Sequence, residues 1–180
     1  MDRKEGMHMN LTEILDQLHL DAMLITNPYN MRYVSHFRGG EGILLISRKS
    51  RVLITDSRYT EAAKQESDFQ VEECNHLRKT TDILNDWIER EQLLTVGYED
   101  ASMLCSTFRE YQTGLPAIKE WIPLGVAVTR LRQIKTPEEI GYLRQAEAIG
   151  DAAFTKILDI IKPGMTELEI QAELEYRMMK

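Results

Sequence analysis

Two short apolar runs, Ile43–Ser47 and Val52–Thr55, flank the polar tetrapeptide Arg48-Lys49-Ser50-Arg51. Runs this short, rich in Ile, Leu and Val and bounded by turn residues, read as strands. A link of about four residues leaves them only an antiparallel pairing, because a parallel crossover needs a dozen or more. Neither run alternates cleanly between apolar and polar, so both faces are expected to be covered. That places the hairpin in a sheet between helical layers. Asp56-Ser57-Arg58-Tyr59 ends the second strand and opens a helix to about Glu66. One reading makes Arg58 an anion site at that helix start. The favoured one has Asp56 as the N-cap and Tyr59 packed beneath the sheet, since Asp is worth about 1 kcal/mol over Ala at an N-cap.

The remaining segments fit around this hairpin. Asn10 and Glu13 form a capping-box start for a helix with Leu11, Ile14, Leu15 and Leu18 in register. Ala22–Thr26 is a strand. Asn27-Pro28 begins a helix to about His36, with Tyr29, Tyr33 and Phe37 on one side and both tyrosines assigned to the core or a dimer face. Phe69–Cys74, Leu94–Tyr98 and Trp121–Leu124 are strands, the last an edge strand because Pro123 cannot donate to a ladder. Between them lie a helix capped by Thr80 or Thr81, with Ile83, Leu84, Trp87 and Ile88 inward, and a helix over Ser102–Tyr111 with Leu104, Phe108 and Tyr111 inward. The order α-β-α-β-β-α-β-α-β-α-β predicts a three-layer α/β/α domain with a mixed sheet of about five to six strands. It would cover residues 10–132, after a disordered or tag-like stretch at 1–9.

Thr136-Pro137-Glu138-Glu139 then starts a long amphipathic helix, striped by Ile140, Leu143, Ala146, Ile149, Ala153, Ile157 and Ile160. Lys162-Pro163-Gly164 breaks it, and Thr166 with Glu169 caps another helix running towards Lys180. Two such helices bury little by themselves. Residues 133–180 are therefore expected to be a linker and the first helices of an incomplete second domain.

The charge balance bounds the partners. With a net charge of −7 and a pI near 5.2, the chain lacks the basic surface that nucleic acid or an anionic membrane calls for. No apolar run approaches the roughly 20 residues that span a bilayer, and the first ten residues lack an apolar signal-peptide core. The expectation is a cytoplasmic protein. Cys74 and Cys105 form no CxxC pair, the four histidines are scattered, and there is no HExxH helix, so no metal site is expected in these residues. No strand is followed by GxGxxG; Gly39-Gly40 comes after a helix, which argues against a nucleotide site.

AMLITNPYNMRYVSHFRGGEGILLIS, VLITDSRYTEAAKQE and LRQIKTPEEIGYLRQAEAIGDAAF followed by IKPGMTELEIQAELEYRM resemble Xaa-Pro aminopeptidases and prolidases, in the creatinase/prolidase family of "pita-bread" enzymes. The resemblance runs from about Asn10 to Lys180. It implies a creatinase/prolidase N-terminal domain, ribonuclease-H-like in fold, followed by the first two helices of a truncated pita-bread catalytic domain. It also implies two divalent metals, often manganese, held in the full-length protein by two Asp, one His and two Glu that come later than the residues given. No catalytic residue or metal ligand is therefore expected here. A metal pair would lower the pKa of a bridging water for attack on the carbonyl before proline. The resemblance further implies a homodimer acting on proline-containing peptides, in which an N-terminal loop of one subunit caps the partner's active site. The matching loop is Tyr33–Glu41. His36 and Arg38 are its candidate substrate contacts, Arg38 for a carboxylate, and its glycines would let it move. The competing reading is an ordinary exposed loop with a solvated arginine. Two other functions fit the same resemblance: a metal-free creatinase-type amidinohydrolase and a non-catalytic protein-binding module.

Overall fold

The computed structural model describes residues 10–180; the expectation for 1–9 lies outside the described residues. These residues divide into two compact units between Ile134 and Lys135.

The first unit is built on one mixed sheet of six strands. Its strands are β1 (Ala22–Ile25), β2 (Ile43–Ser47), β3 (Arg51–Asp56), β4 (Gln70–Cys74), β5 (Thr95–Tyr98) and β6 (Glu120–Pro123). The spatial order is β4-β3-β2-β1-β5-β6. The hairpin sets the polarity. β2 pairs antiparallel with both β1 and β3, whereas β3–β4, β1–β5 and β5–β6 are parallel. So β2 alone runs against the other strands. Its turn is tied down: Ser47 Oγ accepts from the Lys49 and Ser50 amides at 3.0 and 2.9 Å and donates to Glu91 at 2.5 Å, and Ser50 Oγ also donates to Glu91.

The helices are α1 (Leu11–Gln17), α2 (Pro28–Ser35), α3 (Thr60–Glu66), α4 (Thr80–Glu91), α5 (Cys105–Gly114) and the short α6 (Ala127–Arg130). Strand side chains alternate between two cores, as the two-residue period requires. Met23, Ile25, Leu44, Ile46 and Leu53 face Ile14, Leu15, Met31, Ala63 and Val128 of α1, α2, α3 and α6. Ala22, Leu24, Leu45, Val52 and Ile54 face Ile83, Leu84, Trp87 and Ile88 of α4, with Tyr111 of α5 packed alongside. Every residue of β1 and β2 is buried, which is why neither strand alternates in polarity. β6 closes one edge, where Pro123 pairs with Tyr98; β4 closes the other, carrying Glu72 and Glu73, charges that discourage further strand addition.

Several local expectations are corrected. α3 starts at Thr60, and Asp56 is not its N-cap. The Asp56 carboxylate instead accepts from the Arg58 amide at 2.9 Å and pairs with its guanidinium at 2.7 Å, an Asx turn that uses up the side chain before the helix begins. The residue before α4 is Lys79, whose amide donates to Asp82 at 2.8 Å, so neither threonine is the cap. α5 begins at Cys105; Leu104 precedes it and is exposed. Tyr29 is 69% exposed and so is not a core residue; α2 turns Asn30, Met31 and Ser35 inward instead.

The second unit holds α7 (Pro137–Leu158) and α8 (Glu167–Met179), both opened by the expected Thr–Glu capping boxes and packed on each other. Of the long stripe on α7, only Ala153 and Ile157 are buried; Ile140, Leu143 and Ile149 remain exposed.

Candidate functional site

The parallel strands all end at one edge of the sheet, where α/β folds place their sites. There α2 leaves β1 towards one core and α5 leaves β5 towards the other, so the ends of β1 and β5 form the crevice that usually receives a ligand. Here the chain fills it itself. Glu99, the residue after β5, is 3% exposed. Its Oε2 accepts from the Thr26 and Asn27 amides at 2.6 Å each, at the start of α2, and its Oε1 accepts from Asn30 Nδ2 at 2.6 Å. Asn30 Oδ1 in turn accepts from Arg132 Nε at 2.8 Å. A carboxylate at a helix N-terminus sits where a phosphate would. Nothing in the sequence pattern singled out Glu99, Asn30 or Arg132, because the bonds join residues 69 to 102 positions apart.

The loop His36–Gly42 leaves the far end of α2. Asn27 caps the helix, accepting from the Tyr29 and Asn30 amides, and Pro28 occupies its first turn. His36 ends it with φ 62°, its amide donating to Arg32 O at 2.9 Å, and its side chain is exposed. Phe37 is fully buried, edge-on to Tyr59 with ring centres 6.3 Å apart. Arg38 points outward, its side chain 69% exposed; its amide donates to Glu66 at 2.8 Å and its guanidinium meets the same carboxylate at 3.1 Å. These contacts, led by the Arg38 amide, hold the Glu66 carboxyl below its usual pKa. The glycines answer to geometry. A Cβ at Gly39 would run into the Phe37 ring, and Gly42 (φ +140°) lies against the Ile54 carbonyl, while Thr55 Oγ1 bonds Glu41 O at 2.8 Å. His36 and Arg38 thus share one exposed loop, fixed at both ends. Among the described residues, no hydrogen bond or ion pair joins either side chain to Glu99, Asn30 or Arg132.

A second cleft, about 390 Å³, opens between the ends of β3 and β4 and the start of α4, lined by Asp56, Cys74, Lys79, Thr80, Glu110 and Tyr111. Its charges are mixed. Burial pushes the Tyr111 phenol up. Arg58, the less favoured anion site, pairs with Asp56, and the pair holds the Asp56 carboxyl low.

Comparison with known proteins meets this geometry at two places. Residues 8–134 match the model of the creatinase/prolidase N-terminal domain. The chain belongs to the creatinase/prolidase family. Residues 141–180 match metallopeptidase family M24. The uncharacterized peptidase YqhT of Bacillus subtilis is 38% identical over 93% of this chain and 47% of its own. Among solved structures, the Xaa-Pro dipeptidase of Bacillus anthracis is 34% identical with a TM-score of 0.85, over 94% of this chain and 47% of that one. The X-Pro aminopeptidase of Thermotoga maritima is 34% identical with a TM-score of 0.82, over 92% and 48%. The chain spans about half the length of these relatives.

Metallopeptidase family M24, which residues 141–180 match, implies divalent metal ions in its full-length members. The residues in hand do not fit one: among the described residues no group of three or more His, Cys, Asp or Glu could hold a metal ion. No described helix is long and apolar enough to cross a membrane.

Proposed function

We propose that this chain is the N-terminal part of a metal-dependent exopeptidase cleaving Xaa-Pro bonds, inactive by itself. The observation that carries this reading is the succession, in one chain, of a creatinase/prolidase N-terminal match and an M24 metallopeptidase match. Manganese, homodimerisation and a cytoplasmic location complete it. Exposed, unpaired Cys105 suits a reducing compartment. The metal and its chemistry belong to residues outside those described.

In this reading the loop His36–Gly42 lies over a substrate held by another part of the assembly. Arg38, itself exposed, meets a peptide carboxylate with donors its half-buried partner Glu66 does not saturate, and His36 supplies a further hydrogen bond. A creatinase-type amidinohydrolase shares the N-terminal domain, but the relatives compared above carry peptidase names. The protein-binding reading has no observation of its own in its favour.

The test is hydrolysis of an Xaa-Pro dipeptide and an Xaa-Pro-Yaa tripeptide by the whole protein, with and without a chelator. Activity abolished by chelation and restored by Mn²⁺ is expected; chelator-resistant hydrolysis overturns the proposal. Arg38→Ala should raise KM or lower kcat without changing the melting temperature, because exposed ion pairs contribute only about 0–1 kcal/mol to stability. Wild-type kinetics would return Arg38 to the ordinary surface.

A further inference from the structure

Glu99, Asn30 and Arg132 alternate in hydrogen-bonding character. Glu99 only accepts, Arg132 only donates, and Asn30 between them presents its NH₂ to one and its oxygen to the other. Asn30 is 3% exposed, so its amide has one workable orientation. Thr129 Oγ1, 3.4 Å from Asn30 Nδ2, adds a second contact from the same segment as Arg132. The chain of bonds therefore joins the end of β5, the first turn of α2, and the segment Thr129–Arg132. A buried carboxylate without a cation in direct contact is expensive unless every oxygen is satisfied. An apolar filling of the crevice would avoid that expense, but it would not fix the azimuth and the start of a helix only eight residues long.

We propose that Glu99, Asn30 and Arg132 are positioning residues: a polar relay that holds α2, and with it the loop bearing His36 and Arg38, in one pose on the sheet. Its catalytic consequence rests on the Xaa-Pro reading above; the relay itself does not. The relay makes a specific demand. In Glu99→Gln one acceptor oxygen becomes an NH₂. Either that group faces the Thr26 and Asn27 amides, donor against donor, or Asn30 flips to accept from it. A flipped Asn30 then turns its NH₂ on Arg132 Nε, again donor against donor. Arg132→Gln can offer an oxygen to the flipped Asn30, so the two substitutions should compensate although their side chains do not touch.

The experiment is amide hydrogen exchange on the whole protein carrying Glu99→Gln, Arg132→Gln or both. Half-buried Arg132 can be changed without opening the core. Arg132→Gln is expected to speed exchange across 26–36 by about tenfold or more, leaving 43–56 unchanged. Glu99→Gln should do the same at 26–36 and 129–134, and the double variant should be better protected at 26–36 than Glu99→Gln alone. Loosening confined to the substituted segment, loosening of the whole sheet, or strictly additive effects would overturn the relay. In the tripeptide assay Arg132→Gln should raise KM about threefold or more with kcat within about twofold; an unchanged KM beside loosened amides overturns the catalytic role. Absence of peptide hydrolysis by the wild-type protein would defeat the Xaa-Pro reading, and the exchange data would still decide the relay.

Discussion

At the scale of single residues, the loop is anchored by a carboxylate. Glu66 accepts from the Arg38 amide and then from its guanidinium, so the ionised form is favoured in the folded chain. A carboxyl whose folded pKa is depressed contributes stability above its unfolded pKa. That contribution is lost as pH falls through the folded value. The anchor should therefore hold at neutral pH and weaken only as the pH falls below the value at which an unfolded glutamate titrates. An NMR titration of Glu66 should give a midpoint below that of a free glutamate, and Arg38→Ala, which keeps the leading amide bond, should move it only part of the way back up. A wild-type Glu66 midpoint equal to that of a free glutamate would mean that the bonds to Arg38 do not form in solution. Glu66 was legible only as the last turn of a helix. Its partner lies 28 positions earlier, and no periodicity connects the two. The same holds for Glu99, a charged residue after a short strand, whose burial follows from the β1–β5 pairing and not from its neighbours in the chain. His36 and Arg38 came forward through resemblance, since composition alone marks only a glycine-rich loop.

At the scale of elements, the polarity of β2 followed from one physical fact, that four residues cannot carry a parallel crossover. Capping boxes at Asn10, Thr136 and Thr166 and the cap at Asn27 were legible because cap chemistry is local. The position of β5 beside β1 was not legible: strand order depends on which edge a helix returns to, and several orders bury the same apolar residues. Asp56 misled because the same side chain serves an Asx turn or a helix cap, and Arg58 two residues on tips it to the turn. Leu104 misled because its helical register assumed a start one turn too early. This difference can be measured. Leu44→Ala, in fully buried β2, should cost about 2–5 kcal/mol. Leu104→Ala, 69% exposed, should stay within about 0.5 kcal/mol of wild type. Denaturant midpoints for the two variants separate these outcomes; a large loss at Leu104 would mean that its exposed side chain is covered in solution.

At the scale of the molecule, the two units differ in how far they satisfy themselves. Both cores of the first unit are drawn from residues between Ile14 and Leu131, and each face of its sheet has its own helices. Nothing in those cores calls on residues after Ile134. The second unit is two helices, with Ile140, Leu143, Phe154 and Leu168 exposed and only Ala153 and Ile157 buried. Isolated helices in water are marginal below about 12–15 residues even with good formers, and most helix stability comes from burying an apolar face. Residues 1–134 alone should therefore unfold cooperatively, within a few degrees of the first unit's transition in the 180-residue chain. A peptide of residues 135–180 should show weak helicity by circular dichroism and melt broadly. Its capping boxes should sustain some helix, but two half-covered stripes lack the buried area for a sharp transition. A sharp, concentration-independent melt of that peptide would show that α7 and α8 form a domain of their own. A melt that sharpens with concentration would mean that the exposed stripes associate with one another.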